Sequence, residues 1–154
     1  MPAIIPHLWF ADNNAEEAVN YYCSVFPGAR LLSIQRYPDE KLDPHFGGMA
    51  GKVLTCVFEL NGQRLMAMDG GPHFRLSEAF SLLVECDGQE EIDHCWERLS
   101  HVPESEQCGW CKDRFGLSWQ IAPRNMERLM ASDIAVRKVM DMKKIIIREL
   151  EEAE

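Results

Sequence analysis

The fold is decided by residues 108–121, which read Cys108-Gly109-Trp110-Cys111-Lys112-Asp113-Arg114-Phe115-Gly116-Leu117-Ser118-Trp119-Gln120-Ile121. Two interpretations of this stretch compete. The Cys-x-x-Cys pair is typical of a redox couple or of half a zinc site. The alternating pattern on both sides of Gly116 instead indicates a strand, a turn and a second strand. The rest of the chain has to decide between them.

A repeat elsewhere in the chain favours the hairpin. The apolar stretch Leu8-Trp9-Phe10-Ala11-Asp12 leads into an acidic helix start at Glu16-Glu17, and Leu83-Val84-Glu85-Cys86-Asp87 leads likewise into Glu90-Glu91. Internal similarity of this kind indicates two copies of one structural unit. Residues 108–121 are then predicted to form the last hairpin of a duplicated sheet.

The first copy predicts a βαβββ module over about residues 3–69. Its helix carries apolar residues at helical spacing, and Asn14 with Glu17 is able to form a start like a capping box. A strand over residues 31–37 follows, and residues 53–60 turn at Asn61-Gly62, a strong hairpin signal, into residues 64–69.

The second copy is somewhat abbreviated and spans about residues 78–122, and a helical tail follows over about residues 124–154. Helical segments are expected at residues 126–130 and 132–143, and the acidic stretch Glu149-Leu150-Glu151-Glu152 is most simply a solvated helix end. Each sheet would have one face covered by its helix and the other bare. We therefore predict a single α+β domain of duplicated βαβββ modules, in which a mixed sheet curls around a cleft.

Composition restricts the function. The net charge is −9 and the estimated pI about 5.0, and no cluster of Lys and Arg is evident, which argues against a nucleic-acid partner and against an acidic membrane surface. No secretion signal and no apolar run of membrane-spanning length is present, so the chain is expected to be cytoplasmic. The six cysteines are then expected to be reduced thiols.

The Cys108 and Cys111 pair is a weak motif in this setting. A thioredoxin-type pair depends on a helix N-terminus, whereas this pair lies in a predicted strand. A zinc site needs a second pair of ligands, and the sequence contains no other Cys-x-x-Cys to complete it. The hairpin is therefore the better interpretation.

These residues carry a family resemblance. The repeated plan resembles the vicinal oxygen chelate superfamily, which includes glyoxalase I, extradiol dioxygenases and bleomycin-resistance proteins. The chain is most similar to its bacterial PhnB-like family, often labelled demethylubiquinone methyltransferase. The matching stretches are Leu8-Trp9-Phe10, Glu16-Glu17-Ala18, Gly70-Gly71-Pro72-His73-Phe74, Glu91-Ile92-Asp93 and the series from Gly109-Trp110 to Ser118-Trp119-Gln120.

The methyltransferase label does not fit the sequence. Methyl transfer from S-adenosylmethionine usually needs a glycine-rich loop between a strand and a helix, whereas Gly47-Gly48 and Gly70-Gly71 fall in loops around hairpins. We do not predict methyltransferase activity.

The resemblance also implies a divalent metal with one ligand from each of four strands. His7 and Gln120 fall at the first and last of these positions, but Leu65 or Met66 and Ser81 occupy the other two. A divalent ion needs three protein ligands as a rule, so the set looks incomplete, although His73 or Asp69 could replace a missing ligand. No cofactor is assigned from the sequence, and a divalent metal stays open.

Two functional hypotheses follow. The first is a binding module for a small molecule, whose apolar cleft is lined by Trp9, Trp110, Met66 and Met68, with Ser81 and Gln120 as polar contacts. The alternative is a metal-dependent, glyoxalase-like lyase, isomerase or dioxygenase, in which His7 and His73 are the catalytic candidates. Each of these residues also has a structural interpretation: a hydrogen-bonded histidine, core packing, or a tight turn at His73 in place of a lid over the cleft.

The resemblance further implies a homodimer. The stripe Val136, Val139 and Met140 on the C-terminal helix offers an apolar surface for a second copy, and it could equally pack on its own domain.

Overall fold

The structure, a computed structural model, describes residues 1–38 and 47–153. They form two compact units, unit 1 (Met1–Leu76) and unit 2 (Ser77–Glu154). The mixture of helices with two sheets, each containing parallel and antiparallel pairs, confirms the predicted α+β class. Within the described ranges, no helix is long and apolar enough to cross a bilayer.

Unit 1 has the predicted βαβββ order. Its elements are β1 (His7–Phe10), α1 (Ala15–Val25), β2 (Arg30–Arg36), β3 (Val53–Leu60) and β4 (Gln63–Asp69). The strands lie in the order β1-β4-β3-β2, with β1 parallel to β4 and the other pairs antiparallel. Alternate residues point to opposite faces of a sheet, and α1 covers one of them. The buried apolar residues of that face include Leu8, Phe10, Cys56, Phe58 and Leu65.

The start of α1 differs from the predicted capping box. Asn14 is the N-cap residue, but its side chain makes no capping hydrogen bond. The carboxylate of Asp69, at the end of β4, accepts the N–H of Ala15 at 2.9 Å and the N–H of Val53 at 2.8 Å instead. A residue distant in sequence therefore satisfies an orphan donor of the first helical turn.

Unit 2 has one strand fewer than unit 1. Its elements begin with β5 (Ser81–Cys86), α2 (Gln89–Leu99), a short 3-10 helix (Pro103–Ser105), β6 (Trp110–Lys112) and β7 (Ser118–Pro123). The strand order is β5-β7-β6, so the second module is βαββ and has no counterpart of β2 among its described residues. The segment before β6 occupies that edge, because the N–H groups of His101 and Val102 both donate to the carbonyl of Lys112.

The tail contains three helices. They are α3 (Met126–Leu129), α4 (Asp133–Asp141) and α5 (Ile147–Glu151). At the expected solvated helix end, Glu149, Glu151 and Glu152 are exposed, but Leu150 is buried in one apolar cluster with Leu129, Val139, Met142 and Ile145. Burial of apolar area, which is worth roughly 25 cal/mol per Å², fixes this segment against unit 2.

Candidate functional site

The sheet face of unit 1 that points away from α1 carries four of the predicted site residues. We call it the helix-distal face of unit 1. His7 lies beside Met66, and Trp9 lies beside Met68, because β1 and β4 pair in parallel with these registers. Trp9, Met66 and Met68 are half-buried and His7 is exposed. An aromatic ring and two flexible thioethers on one face form a surface suited to an apolar molecule.

Trp9 is held in place by the loop that follows β4. Its indole N–H donates to the carbonyl oxygen of Gly71 at 2.9 Å, and the edge of Phe74 lies 5.0 Å away between ring centroids, at 77°. The ring also lies against Gly70, where an added Cβ would come within 2.0 Å of it. Asn13 accepts the N–H of Gly71 at 3.1 Å. The loop therefore fixes the ring on its face of the sheet.

His73 is exposed on this same loop, and His7 is exposed at the start of β1. Among the described residues, neither imidazole has a hydrogen-bond or ion-pair partner. A catalytic base is usually oriented by a third group, and nothing in the described chain does so for these two. Their assignment as catalytic residues stays a prediction.

In unit 2 the structure brings Ser81, Trp110 and Gln120 together. The side-chain amide of Gln120 donates to the hydroxyl of Ser81 at 2.9 Å, and Trp110 is the cross-strand partner of Gln120. Trp119 and Ile121 point to the other face and are fully buried, as the alternation in the sequence predicts. Ser81, Trp110 and Gln120 define the helix-distal face of unit 2.

The donors at the four ligand-equivalent positions do not fit a divalent metal. They are the imidazole of His7, the thioether of Met66 or the hydrocarbon side chain of Leu65, the hydroxyl of Ser81, and the side-chain amide of Gln120, whose N–H group donates to Ser81. Asp69 cannot replace a missing ligand, because both of its carboxylate oxygens accept buried backbone N–H groups. Within the described ranges, no three His, Cys, Asp or Glu side chains form a group that could hold a metal ion. A hard or borderline cation prefers carboxylate and imidazole donors to such a set.

The Cys-x-x-Cys pair has a structural role. Cys108 and Gly109 both have positive φ angles, 41° and 87°, and their N–H groups donate to the carbonyls of Met142 and Lys143 in the tail. Burial raises the pKa of the Cys111 thiol to about 12. A buried, protonated thiol is a poor nucleophile and a poor metal ligand. Cys111 therefore packs in the core, and the backbone of Cys108 and Gly109 anchors the tail.

Sequence reasoning missed the role of Asp113. Its carboxylate is buried and accepts the N–H groups of Phe115 and Leu117 at 2.8 and 3.1 Å, and the indole N–H of Trp119 at 2.8 Å. An Asp three residues before a Gly is a turn signal that could have indicated the first two bonds. The bond to Trp119 depends on the closed hairpin.

The chain is similar to known proteins in sequence and in structure. Residues 2–122 match the model of the protein family described as 3-demethylubiquinone-9 3-methyltransferase. A PhnB protein from Bacillus cereus is 35% identical, with a TM-score of 0.64, over 78% of this chain and 98% of its own. No curated protein matches this chain significantly.

Two more distant structures share the fold alone. A protein from Pseudomonas aeruginosa is 20% identical, with a TM-score of 0.62, over 80% of this chain and 98% of its own. The fosfomycin resistance protein FosX from Listeria monocytogenes is 16% identical, with a TM-score of 0.55, over 85% of this chain and 98% of its own.

Proposed function

We propose, from the premise that this chain belongs to the protein family described as 3-demethylubiquinone-9 3-methyltransferase, that it binds a small molecule and does not transfer methyl groups. In unit 1 the ligand contacts the helix-distal face, where Trp9, Met66 and Met68 supply apolar contacts. In unit 2, taken by itself, Ser81, Trp110 and Gln120 are the candidate contacts of the helix-distal face.

The observation that carries this proposal is the fixed indole ring of Trp9. The Gly71 carbonyl, the Phe74 edge and the close approach of Gly70 hold it, while the ring stays half-exposed beside Met68. A rigid aromatic side chain on a surface loses little conformational entropy when a ligand stacks on it. Adaptable methionines beside it can fit the outline of the ligand.

We do not propose methyl transfer, because the loops between strands and helices lack the glycine-rich turn that its cofactor usually needs. A nucleotide-like cofactor is usually held by a glycine-rich turn between a strand and the N-terminus of a helix. The connection from β1 to α1 contains no glycine, and the connection from β5 to α2 contains only Gly88. Gly70 and Gly71 follow β4 and pack on Trp9 instead.

Binding is tested by NMR of isotope-labelled methionine methyl groups in the full chain, titrated with naphthol as a neutral aromatic probe. The Met66 and Met68 signals are expected to shift, while Met142, which is buried in the tail, reports an intact fold. Trp9→Ala is expected to weaken this binding by at least about tenfold, since a lost stacking contact costs on the order of 1 kcal/mol. Trp96→Ala, at a half-buried tryptophan on α2, is the matched control.

Unchanged Met66 and Met68 signals at saturating naphthol would contradict the proposal. So would an equivalent of Ni, Zn, Mn or Fe that copurifies with the protein and is lost in His7→Ala. That result would favour the metal-dependent enzyme.

We also propose that the protein functions as a homodimer in the cytoplasm. Val139 is buried in its own unit and Met140 borders a groove of unit 2, whereas Ile134 and Val136 of α4 are exposed, with Ile134 more than half accessible. These exposed side chains support a contact between copies. Sedimentation equilibrium at micromolar concentration tests it, and a monomer would contradict the dimer.

A further inference from the structure

The tail is an addition to the part of the chain that the family shares. The family match ends at residue 122, and the described helices α3, α4 and α5 all follow it. The part of the surface of unit 2 that the tail forms therefore lies outside the matched region.

The tail is fixed to unit 2 by directed bonds as well as by its apolar cluster. The side-chain amide of Gln89 accepts the N–H of Ile147 at 2.8 Å and donates to the carbonyl of Ile145 at 3.0 Å. Lys144 forms an ion pair with Asp93 at 2.7 Å. Because these contacts tie the tail to α2, and Cys108 and Gly109 tie it to β6, its helices form a stable wall beside the sheet.

A groove of about 450 Å³ lies between this wall and the sheet of unit 2. We call it the tail groove. Its floor includes Leu83 and Gln120 on neighbouring strands, and its wall includes Met126, Met130 and Met140 of the tail. This volume is within the range of small-molecule sites, and Leu83 and Met140 are 56% and 57% exposed beside it.

The apolar lining indicates the body of the ligand. Three methionines offer flexible, polarisable thioethers that contact aromatic rings favourably, with the sulfur about 5 Å from the ring. Leu83 adds an aliphatic contact on the floor. An aromatic or fused-ring hydrocarbon body fits these surfaces.

The charged residues at the rim of the groove indicate the sign of the ligand's charge. Glu85, Arg124 and Glu127 border the tail groove. Arg124 is already engaged, since its guanidinium bonds to Asp87 at 2.8 Å and to Glu85 at 3.4 Å. Glu127 is exposed and has no ion-pair partner within the described ranges. The groove therefore offers an unpaired carboxylate and no unpaired cation, and the net charge of −9 adds long-range attraction for cations.

We infer that the tail groove binds an organic cation with an aromatic body, which packs on Leu83 and the tail methionines and places its ammonium group near Glu127. The groove shares Gln120 with the contacts proposed for unit 2, but the inference rests on the tail methionines and Glu127 and not on the proposed function. The tail supplies one wall of this groove, whereas the methionines of the helix-distal face of unit 1 belong to a different sheet.

The test compares naphthylmethylammonium with naphthoate, which share the aromatic body and differ in charge. In methionine-methyl NMR of the full chain, the ammonium probe is expected to shift Met126, Met130 and Met140 and to bind about tenfold more tightly than naphthoate, which corresponds to 1.4 kcal/mol. Glu127→Gln is expected to weaken the ammonium probe about threefold or more, and Glu90→Gln on α2 is the matched control.

Leu83→Arg provides a second test that keeps the fold, because Leu83 is mostly exposed. An arginine on the groove floor is expected to reverse the preference, so that naphthoate binds more tightly than the ammonium probe. Leu31→Arg in unit 1, which is 39% exposed, is the matched control and should leave the preference unchanged.

Equal affinity for the two probes would overturn the inference. It would equally fail if only Met66 and Met68 shifted, a result that leaves the proposed function intact. A concentration-dependent shift of Met140 without any probe, together with a dimer in sedimentation, would assign the groove to a second copy of the chain and also overturn it.

Discussion

Unit 1 and unit 2 share a strand, a helix and a closing hairpin, but they complete their sheets differently. In unit 1, β2 extends the sheet beside β3 over seven residues. In unit 2, the corresponding edge of β6 is met by a loop with a 3-10 helix, and the tail packs against the same region. Both of these sheet edges lie within the family match over residues 2–122, whereas the tail follows it.

The difference shows how an unpaired strand edge can be covered without another strand. Cys108 and Gly109 adopt positive φ angles, which turn their N–H groups toward the tail. Gly109 is close to Ile121 and Ile145, where an added Cβ would lie 3.0 and 3.1 Å from their atoms. The loop at His101 and Val102 covers the edge of β6, and the tail binds the backbone at Cys108 and Gly109, just before this strand.

Each unit also depends on one buried carboxylate, and the two carboxylates act over different distances. Asp113 organises the turn that contains it, whereas Asp69 joins the end of β4 to the starts of α1 and β3. Removal of either carboxylate leaves buried N–H groups without an acceptor.

The largest effect is expected for Asp113→Ala. Three donors lose their acceptor, two of them backbone N–H groups and one the indole of the fully buried Trp119. The free energy of unfolding should fall by about 3 to 5 kcal/mol in urea titration. Asp133→Ala, at an exposed position on α4, is the control, and a loss no larger than the control's would refute the role of Asp113.

Asp69→Ala is expected to cost about 2 to 4 kcal/mol, because two buried donors, at Ala15 and Val53, lose their acceptor. The same urea titration measures it, with Asp12→Ala as the control, since Asp12 is exposed and its ion-pair partner in the described part of the chain is the exposed Arg75. If Asn14→Ala proved as costly as Asp69→Ala, the capping box would be the true start of α1.

Gln89→Ala should destabilise the tail by about 1 to 2 kcal/mol, because its two part-buried hydrogen bonds to the tail are lost together with its bond to Asp93. Amide hydrogen exchange should accelerate in α5 more than in α1. Gln63→Ala is the control, because Gln63 bonds only to its exposed neighbour. Equal exchange rates in the variant and the original protein would show that the apolar cluster alone holds the tail.

The smallest effect is a difference in thiol reactivity within the Cys-x-x-Cys pair. Burial raises the pKa of Cys111 to about 12, whereas Cys108 is half-buried. At about pH 8, iodoacetamide should label Cys108 before Cys111, as peptide mass spectrometry can measure.

The pH dependence of this thiol has a definite sign. The pKa of the Cys111 thiol has its ordinary value of 9.0 in the unfolded chain and is raised by burial in the folded protein. The thiol therefore ionises more readily in the unfolded chain. Its contribution to stability is therefore complete below about pH 9 and is lost as the pH rises toward 12. Faster labelling of Cys111 than of Cys108 under native conditions would contradict this expectation and support a redox role for the pair.

Much of the fold could be predicted because its signals are local. The strand at Val53–Leu60 and the turn at Asn61-Gly62 were predicted with their exact positions, and α1 and α2 follow their apolar spacing. The predicted burial of Trp119, on the face opposite Gln120, is also confirmed. Of the site, the sequence predicted the residues of both helix-distal faces, and their binding role stays a prediction.

The sequence by itself determined the repeat, the class of the fold and the faces on which Trp9, Met66, Ser81 and Gln120 lie, because periodicity is a property of neighbouring residues. Only the tertiary structure decided that Asp69 starts α1, that Gly70 holds Trp9, and that the tail binds the backbone of Cys108 and Gly109. Each of these contacts joins residues far apart in sequence. A hydrogen bond or a close packing contact at that separation exists only after the chain has folded, and no local pattern encodes it.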